Sequence, residues 1–242
     1  KIISYNISDS YPWKVERLLQ MRADILVVPE ITCPEDANLP DDYEMCWNGI
    51  SYYHEFQRWK GLGVLRKRDF GYIPDWYNPC HFYAIPLIVG DILILAIWPT
   101  KREKITGKKT YPQIAQEILS EYAPHFKDYH TVVIGDFNCC LNQPDYSKQY
   151  GDILRINEIL TSYGLRSVYH EQTGEAFGKE TTPTYYHNFN ADFPFFLDYA
   201  YTDIPVKSFR LFPWDRDMSD HVGIRKDNAF HGVLLHDLGA YL

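Results

Sequence analysis

The sequence lacks the features that would assign it at once to a membrane, secreted or repeat class. No apolar run approaches the ~18 residues of a membrane-spanning helix, and residues 1–7 are typical of a strand, not of a charged leader. No internal repeat, low-complexity tract or linker divides the chain. We therefore expect one domain over residues 1–242 and a cytoplasmic location, while a leader removed before residue 1 would leave no trace in this sequence.

The sequence also lacks a cysteine framework and an excess of positive charge. Its five cysteines are odd in number and have no metal-finger spacing, so we expect them to be reduced and mostly buried. Acidic residues number 32 against 24 basic residues, a net charge of −8. This balance excludes nucleic-acid binding by bulk charge. Phosphate chemistry stays compatible with it if a divalent cation and a local basic cluster neutralise the substrate.

Aromatic side chains and short β-branched runs are abundant. Hydrophobic residues make up 45% of the chain and aromatic residues 16%, enough for a large core. Ten or more strands are predicted, with helices after Pro12, after the capping box Thr110-x-x-Gln113 and over Asp152–Tyr163. Many mixed strands with few helices predict an α/β fold, a four-layer sandwich of two packed mixed β-sheets flanked by helices.

The most informative segment is Thr131–Cys140, TVVIGDFNCC. Its β-branched start predicts a buried central strand that breaks at Gly135. Asp136 and Asn138 follow, and residues two apart on an extended segment point to the same side. A carboxylate and a carboxamide placed together there could hold a water and a phosphate, or they could simply cap a turn.

Four more segments place polar side chains at the ends of apolar strands or within them. Asn6 and Glu30 close the first two strands, Asp198 lies in the apolar FFLDYAYTD, and Asp220-His221 precedes the last strand. Each has a simpler explanation: a turn residue, a solvated strand end, a structural hydrogen-bonder, and a capping Asp beside a surface His. Because each of these residues lies at the end of an apolar strand or within one, their combination favours one shared site.

The ordered set SYN (Ser4–Asn6), PEI (Pro29–Ile31), GDFN (Gly135–Asn138), LDY (Leu197–Tyr199) and SDH (Ser219–His221) resembles the endonuclease/exonuclease/phosphatase superfamily. This superfamily includes deoxyribonucleases, abasic-site endonucleases, inositol polyphosphate 5-phosphatases and sphingomyelinases. The resemblance extends from residue 2 to about residue 226. It supports the four-layer sandwich and implies a metal-dependent phosphoesterase.

Residue roles follow from this resemblance. Glu30 would bind Mg²⁺, or Mn²⁺, with help from Asn6 and Asp220, since hard oxygen ligands suit these ions. Asp136 would orient the attacking water, or hold a second ion, with Asn138 touching the phosphate. His221, protonated and held by Asp198, would stabilise the pentacovalent phosphate.

One segment departs from the family pattern. Where most members carry a His, or a Tyr in the abasic-site enzymes, LAIWPT (Leu95–Thr100) has Ile97 and Trp98. Help for the leaving group would then come from metal-bound water, from the basic loop that contains Lys101 and Arg102, or from His170. The loop could equally be a solvated turn, and His170 a surface residue. The aromatic cluster Tyr52–Trp59 is either packing or a platform for base stacking.

The sequence therefore predicts a monomeric, divalent-metal-dependent phosphoesterase acting on phosphodiesters, with nucleic acid as the candidate substrate. A phosphomonoesterase acting on a small polyphosphate or lipid headgroup is the alternative within enzymes, and the acidic balance favours it slightly. A catalytically silent binding module is the alternative outside them, supported only by Ile97 and Trp98.

Overall fold

The computed structural model describes residues 1–9, 11–49, 60–80, 83–100, 107–142 and 153–228. Its strands, in chain order, are β1 (Ile2–Ser4), β2 (Ile25–Ile31), β3 (Tyr43–Asn48), β4 (Gly61–Lys67), β5 (Ala84–Val89), β6 (Ile92–Ile97), β7 (His130–Asp136), β8 (Arg166–Ser167), β9 (Tyr185–Tyr186), β10 (Pro194–Phe195), β11 (Asp198–Thr202), β12 (Val206–Leu211) and β13 (Ile224–Asn228). Its α-helices are α1 (Pro12–Gln20), α2 (Pro34–Ala37), α3 (Tyr111–Tyr122), α4 (Ile153–Ser162) and α5 (Val168–Thr173).

Two mixed sheets form the centre of the molecule. The first has the strand order β12-β13-β1-β2-β4-β3 and the second β5-β6-β7-β11-β8, while β9 and β10 form a separate hairpin. Within the sheets, β1 and β2 run parallel, as do β6 and β7, and the other neighbours are antiparallel.

Alternating side chains create the four layers. On β2, Ile25 and Val27 face the second sheet and pack in the core between the sheets. Leu26 and Val28 point the other way, into a cluster that includes Leu18 of α1. Because successive strand residues point to opposite faces, one apolar run fills two cores. The outer face of the second sheet packs against α3 and α4. The predicted four-layer sandwich is confirmed.

The local helix signals were largely correct. Thr110 caps α3 as predicted, with the Gln113 side chain accepting from the Thr110 backbone N–H at 2.9 Å. The helix predicted at Asp152–Tyr163 is α4, and Asp152 itself lies outside the described residues. None of the helices in the described ranges is long and apolar enough to cross a membrane.

Some expectations were wrong in detail. The short helices α2 and α5 were not predicted, because four and six residues carry little periodicity. No disulfide joins the five cysteines, but only Cys139 and Cys140 are buried. The aromatic cluster of residues 52–59 lies outside the described residues.

Candidate active site

The predicted polar residues meet where the two sheets approach each other at one edge. Asn6 follows β1 in the first sheet and Asp136 ends β7 in the second, yet Nδ2 of Asn6 donates to Oδ2 of Asp136 at 3.0 Å. The same amide nitrogen lies 3.2 Å from Oε1 of Glu30 and 3.3 Å from Nε2 of His221. Ser8 fixes the amide orientation, since its backbone N–H donates to Oδ1 of Asn6 at 2.9 Å. Asn6 therefore joins three chain segments.

The β7 end is shaped by close strand packing. At Gly135, an added Cβ would clash with the Ile97 carbonyl oxygen of β6, so only glycine fits. Asp136 is fully buried and accepts from the Asn138 backbone N–H at 2.8 Å and from Nδ2 of Asn138 at 3.2 Å. Asn138 also donates to the Pro99 carbonyl at 3.0 Å. Burial raises the pKa of Asp136, although the His221 charge opposes the shift.

Strand register brings Asp198 and His221 to this edge. Asp198 begins β11 directly opposite Asp136, and Thr184 holds it, since Oγ1 of Thr184 accepts from the Asp198 backbone N–H at 2.9 Å. Nδ1 of His221 lies 2.9 Å from Oδ2 of Asp198, and its Nε2 lies 3.8 Å from Oδ2 of Asp136. Burial opposes protonation of His221, but the Asp198 and Asp136 carboxylates prevail and raise its pKa to about 10. His221 is therefore cationic at neutral pH.

Glu30 occupies a strained backbone position. Its φ is +64°, in the left-handed region that a side chain rarely adopts, and the β2–β4 register shifts between Pro29 and Ile31. This bulge turns the Glu30 carboxylate toward Asn6. Lys60 completes the contacts, with Nζ 2.7 Å from Oε2 of Glu30 and 2.7 Å from the Ser8 carbonyl oxygen.

The remaining predicted site residues do not all lie in the cluster. Asp220 is half-buried beside the cluster. Burial lowers the pKa of His221, and the charge of Asp220 helps to raise it, with a smaller effect than Asp198 or Asp136. The structure does not bring His170 into the cluster: its nitrogens contact Ser167 at 2.7 Å and Glu180 at 3.0 Å. Lys101 and Arg102 lie outside the described residues.

Ile97 and Trp98 are core residues. Ile97 is 0% exposed and Trp98 3% exposed, and the Trp98 ring packs edge-on against Tyr83 at 5.1 Å between ring centroids. The position of the family's His or Tyr is therefore apolar in this chain.

Two contributors were missed at the sequence level. Lys60 directly precedes β4, whose Gly61 pairs with Ile31, next to Glu30. Thr184 is fully buried, and its hydroxyl oxygen accepts from two backbone N–H groups of the segment that carries Asp198. A lysine at a strand start has no signature of its own, and only the pairing of β2 with β4 brings it near Glu30.

The residues present fit a divalent cation by their donor chemistry. Candidate ligand atoms of Asp136, Asp198 and His221 lie within 4.8 Å of one another. In that set His221 is cationic, so it could bind an ion only after losing a proton. Glu30, linked to Asp136 through Asn6, adds a less buried carboxylate. Clustered carboxylate oxygens are the ligands that Mg²⁺ and Mn²⁺ prefer.

Comparison with known proteins assigns the chain to a family. A family profile described as Endonuclease/Exonuclease/phosphatase family matches residues 3–221. The chain therefore belongs to the Endonuclease/Exonuclease/phosphatase family, as the motifs predicted. A search of curated protein sequences finds no match.

Solved structures share the fold at low sequence identity. The 3′ phosphatase NExo from Neisseria, bound to a product DNA hairpin, is 14% identical with a TM-score of 0.64, covering 95% of this chain and 99% of that one. An AP endonuclease from Archaeoglobus fulgidus is 15% identical with a TM-score of 0.65 and the same coverage. A family protein from Leptotrichia buccalis is 16% identical with a TM-score of 0.60, again covering 95% and 99%.

Proposed function

We propose that this protein is a divalent-metal-dependent phosphoesterase that hydrolyses phosphodiester bonds in nucleic acid. The observation that carries this proposal is the convergence of Asn6, Glu30, Asp136, Asp198 and His221 through direct contacts at one edge of the sandwich. Family membership supports phosphoric ester hydrolysis as the reaction class. The similar fold of the NExo–DNA complex supports nucleic acid as the substrate class.

Each residue has a role that its contacts support. Glu30, with Asp220 nearby, would hold Mg²⁺ or Mn²⁺, and the ion would supply positive charge to the phosphoryl oxygens. Asn6, predicted to help bind the ion, would instead position the Glu30 carboxylate, because its amide nitrogen faces Glu30 while its Oδ1 accepts from the Ser8 backbone N–H. Asp136 would accept a proton from the attacking water, held in position by its bonds to Asn6 and Asn138. His221, cationic and fixed by Asp198, would donate to the phosphoryl oxygen on which charge accumulates.

Hydrolysis of a generic diester and of labelled DNA and RNA tests this proposal. We expect hydrolysis with Mg²⁺ or Mn²⁺, none in EDTA, and recovery when the ion is restored. Asp136→Asn should abolish turnover while the protein stays folded, which a melting temperature close to that of wild type would show. Asp128→Asn is the matched control, because Asp128 is exposed and precedes the opposite end of β7. Equal activity of the two variants would overturn the role of Asp136.

A second candidate is phosphomonoester hydrolysis, which the fold similarity to a 3′ phosphatase favours. Phosphate release from 3′-phosphorylated oligonucleotides, inositol phosphates or lipid headgroups, without nicking of plasmid DNA, would select it. Wild-type protein that binds oligonucleotides but hydrolyses no phosphoester with any divalent ion would indicate a binding module. The monomeric state stays a prediction that light scattering tests.

A further inference from the structure

Glu30, the carboxylate proposed to hold the metal, already carries a cation supplied by the chain. Nζ of Lys60 lies 2.7 Å from Oε2 of Glu30, and the two side chains are 20% and 23% exposed. The other carboxylate oxygen, Oε1, accepts from Asn6 at 3.2 Å. Both oxygens of Glu30 are thus engaged, one by an amide and one by an ammonium group.

The strand register builds this ion pair into the fold. Lys60 directly precedes β4, and the bulge at Glu30 faces the start of that strand. A second bond from Nζ of Lys60 to the Ser8 carbonyl, at 2.7 Å, holds the ammonium group beside the turn that follows Asn6. The pair therefore links the chain segments of Ser8, Glu30 and Lys60 at one end of the first sheet. It is also partly buried, unlike the exposed ion pairs that contribute little to stability.

An ammonium group and a divalent ion both compete for the negative charge of the Glu30 carboxylate. The hydrogen-bond distance leaves no space between the two atoms, and two cations a few ångströms apart repel strongly where water is partly excluded. Ion binding at Glu30 must therefore overcome this repulsion or displace Nζ of Lys60.

We propose that Lys60 is an internal counter-cation that competes with the divalent ion for Glu30 and so lowers the metal affinity of the site. This inference rests on the proposed function, because it takes Glu30 as a metal ligand. Lys60 is in these terms a positioning residue: it neutralises and orders Glu30 until the ion replaces it. Removing its charge should strengthen ion binding and weaken the ion-free fold.

Calorimetric titration of the full chain with MnCl₂ alone tests the competition. We expect Lys60→Met to bind Mn²⁺ about tenfold more tightly than wild type, a difference of about 1.4 kcal/mol. Its ion-free melting temperature should fall and should recover more than that of wild type when Mn²⁺ is added. Lys67→Met is the matched control, since Lys67 is exposed at the other end of β4 and should leave both values unchanged.

Other variants keep the test decisive. If Lys60→Met fails to fold without the ion, Lys60→Gln provides an uncharged donor and should also bind Mn²⁺ more tightly. Glu30→Gln removes the carboxylate for which Lys60 and the ion compete. Adding Lys60→Met to this variant should therefore leave its Mn²⁺ affinity unchanged. An unchanged or weaker Mn²⁺ affinity in Lys60→Met, with hydrolysis intact in wild type, overturns this inference alone. Wild-type protein that binds no divalent ion overturns the metal dependence and this inference together.

Discussion

Two histidines, the buried His221 and the partly buried His170, each contact a carboxylate at nearly the same distance. His221 lies 2.9 Å from Asp198, and His170 lies 3.0 Å from Glu180. Their second nitrogens differ. Nε2 of His221 faces Asn6 and Asp136, whereas Nδ1 of His170 meets the Ser167 hydroxyl and its ring stacks on Phe177 at 3.7 Å.

The comparison shows that a carboxylate–histidine pair does not by itself mark a catalytic site. Glu180 also accepts from the Gly178 backbone N–H, so the His170 pair ties the loop after α5 to that helix. The Asp198–His221 pair instead faces a cluster of carboxylates with no aromatic ring stacked flat on the imidazole among the described residues. The neighbours of the second nitrogen therefore distinguish the role that we propose for His221 from the structural role of His170.

The largest expected difference between the two histidines is in catalysis. His221→Ala should lower kcat/KM for a phosphodiester by about 10²–10⁴, the usual contribution of a positioned proton donor. His170→Ala should leave kcat/KM within about threefold of wild type, because its two ring nitrogens bond to Ser167 and Glu180 and not to the cluster. Steady-state kinetics of the two folded variants measure this difference in kcat/KM. Equal losses of kcat/KM would contradict a catalytic role for His221 and a structural role for His170.

The next effect is on the pKa of His221 in the ion-free protein. Asp198→Asn should lower it from about 10 by removing the nearer carboxylate, while Glu180→Gln should leave it unchanged. The pKa of His221 in the folded protein lies above the ordinary value of 6.5. The stabilisation that the charged imidazole gains from Asp198 is therefore fully present below pH 6.5 and is lost as pH rises through about 10.

Histidine NMR titration measures the pKa directly, and urea unfolding at several pH values checks the linkage. The difference in unfolding free energy between wild type and Asp198→Asn should shrink between pH 6.5 and 10. A difference that grows over this range would contradict a cationic, Asp198-bound imidazole.

The smallest effect concerns the structural histidine. Ser167→Ala removes the hydroxyl that contacts Nδ1 of His170 and should cost about 1–3 kcal/mol of unfolding free energy, because a buried polar atom is left unsatisfied. Hydrolysis should be unchanged in this variant. Ser162→Ala, at an exposed position at the end of α4, should stay within about 0.5 kcal/mol of wild type. Denaturant melts compare the two, and a catalytic defect in Ser167→Ala would link the His170 pair to the active site.

Much of the fold and part of the site followed from local sequence patterns. Apolar runs such as Ala23–Glu30 and the capping box at Thr110 are local signals, so the strands and α3 were predictable. The polar residues at strand ends were found because their types and order match a known family. Lys60 and Thr184 were missed because their roles come from pairing with residues that are distant in the chain.

His170 is a residue whose structural role could not be predicted from the sequence. The sequence gives a lone histidine near an aromatic segment, and nothing in it reveals that both nitrogens are already bonded to Ser167 and Glu180. Such contacts depend on the path of the loop between α5 and β9, which no periodicity specifies.

The sequence by itself determined which strands are apolar, which polar residues end them and which family the chain belongs to, because these properties depend on residue types and their order. The tertiary structure decided which of two carboxylate-paired histidines faces Asp136, and that Glu30 meets Lys60. Both outcomes depend on strand register and on a backbone bulge at Glu30, and these are set by packing between segments far apart in the chain.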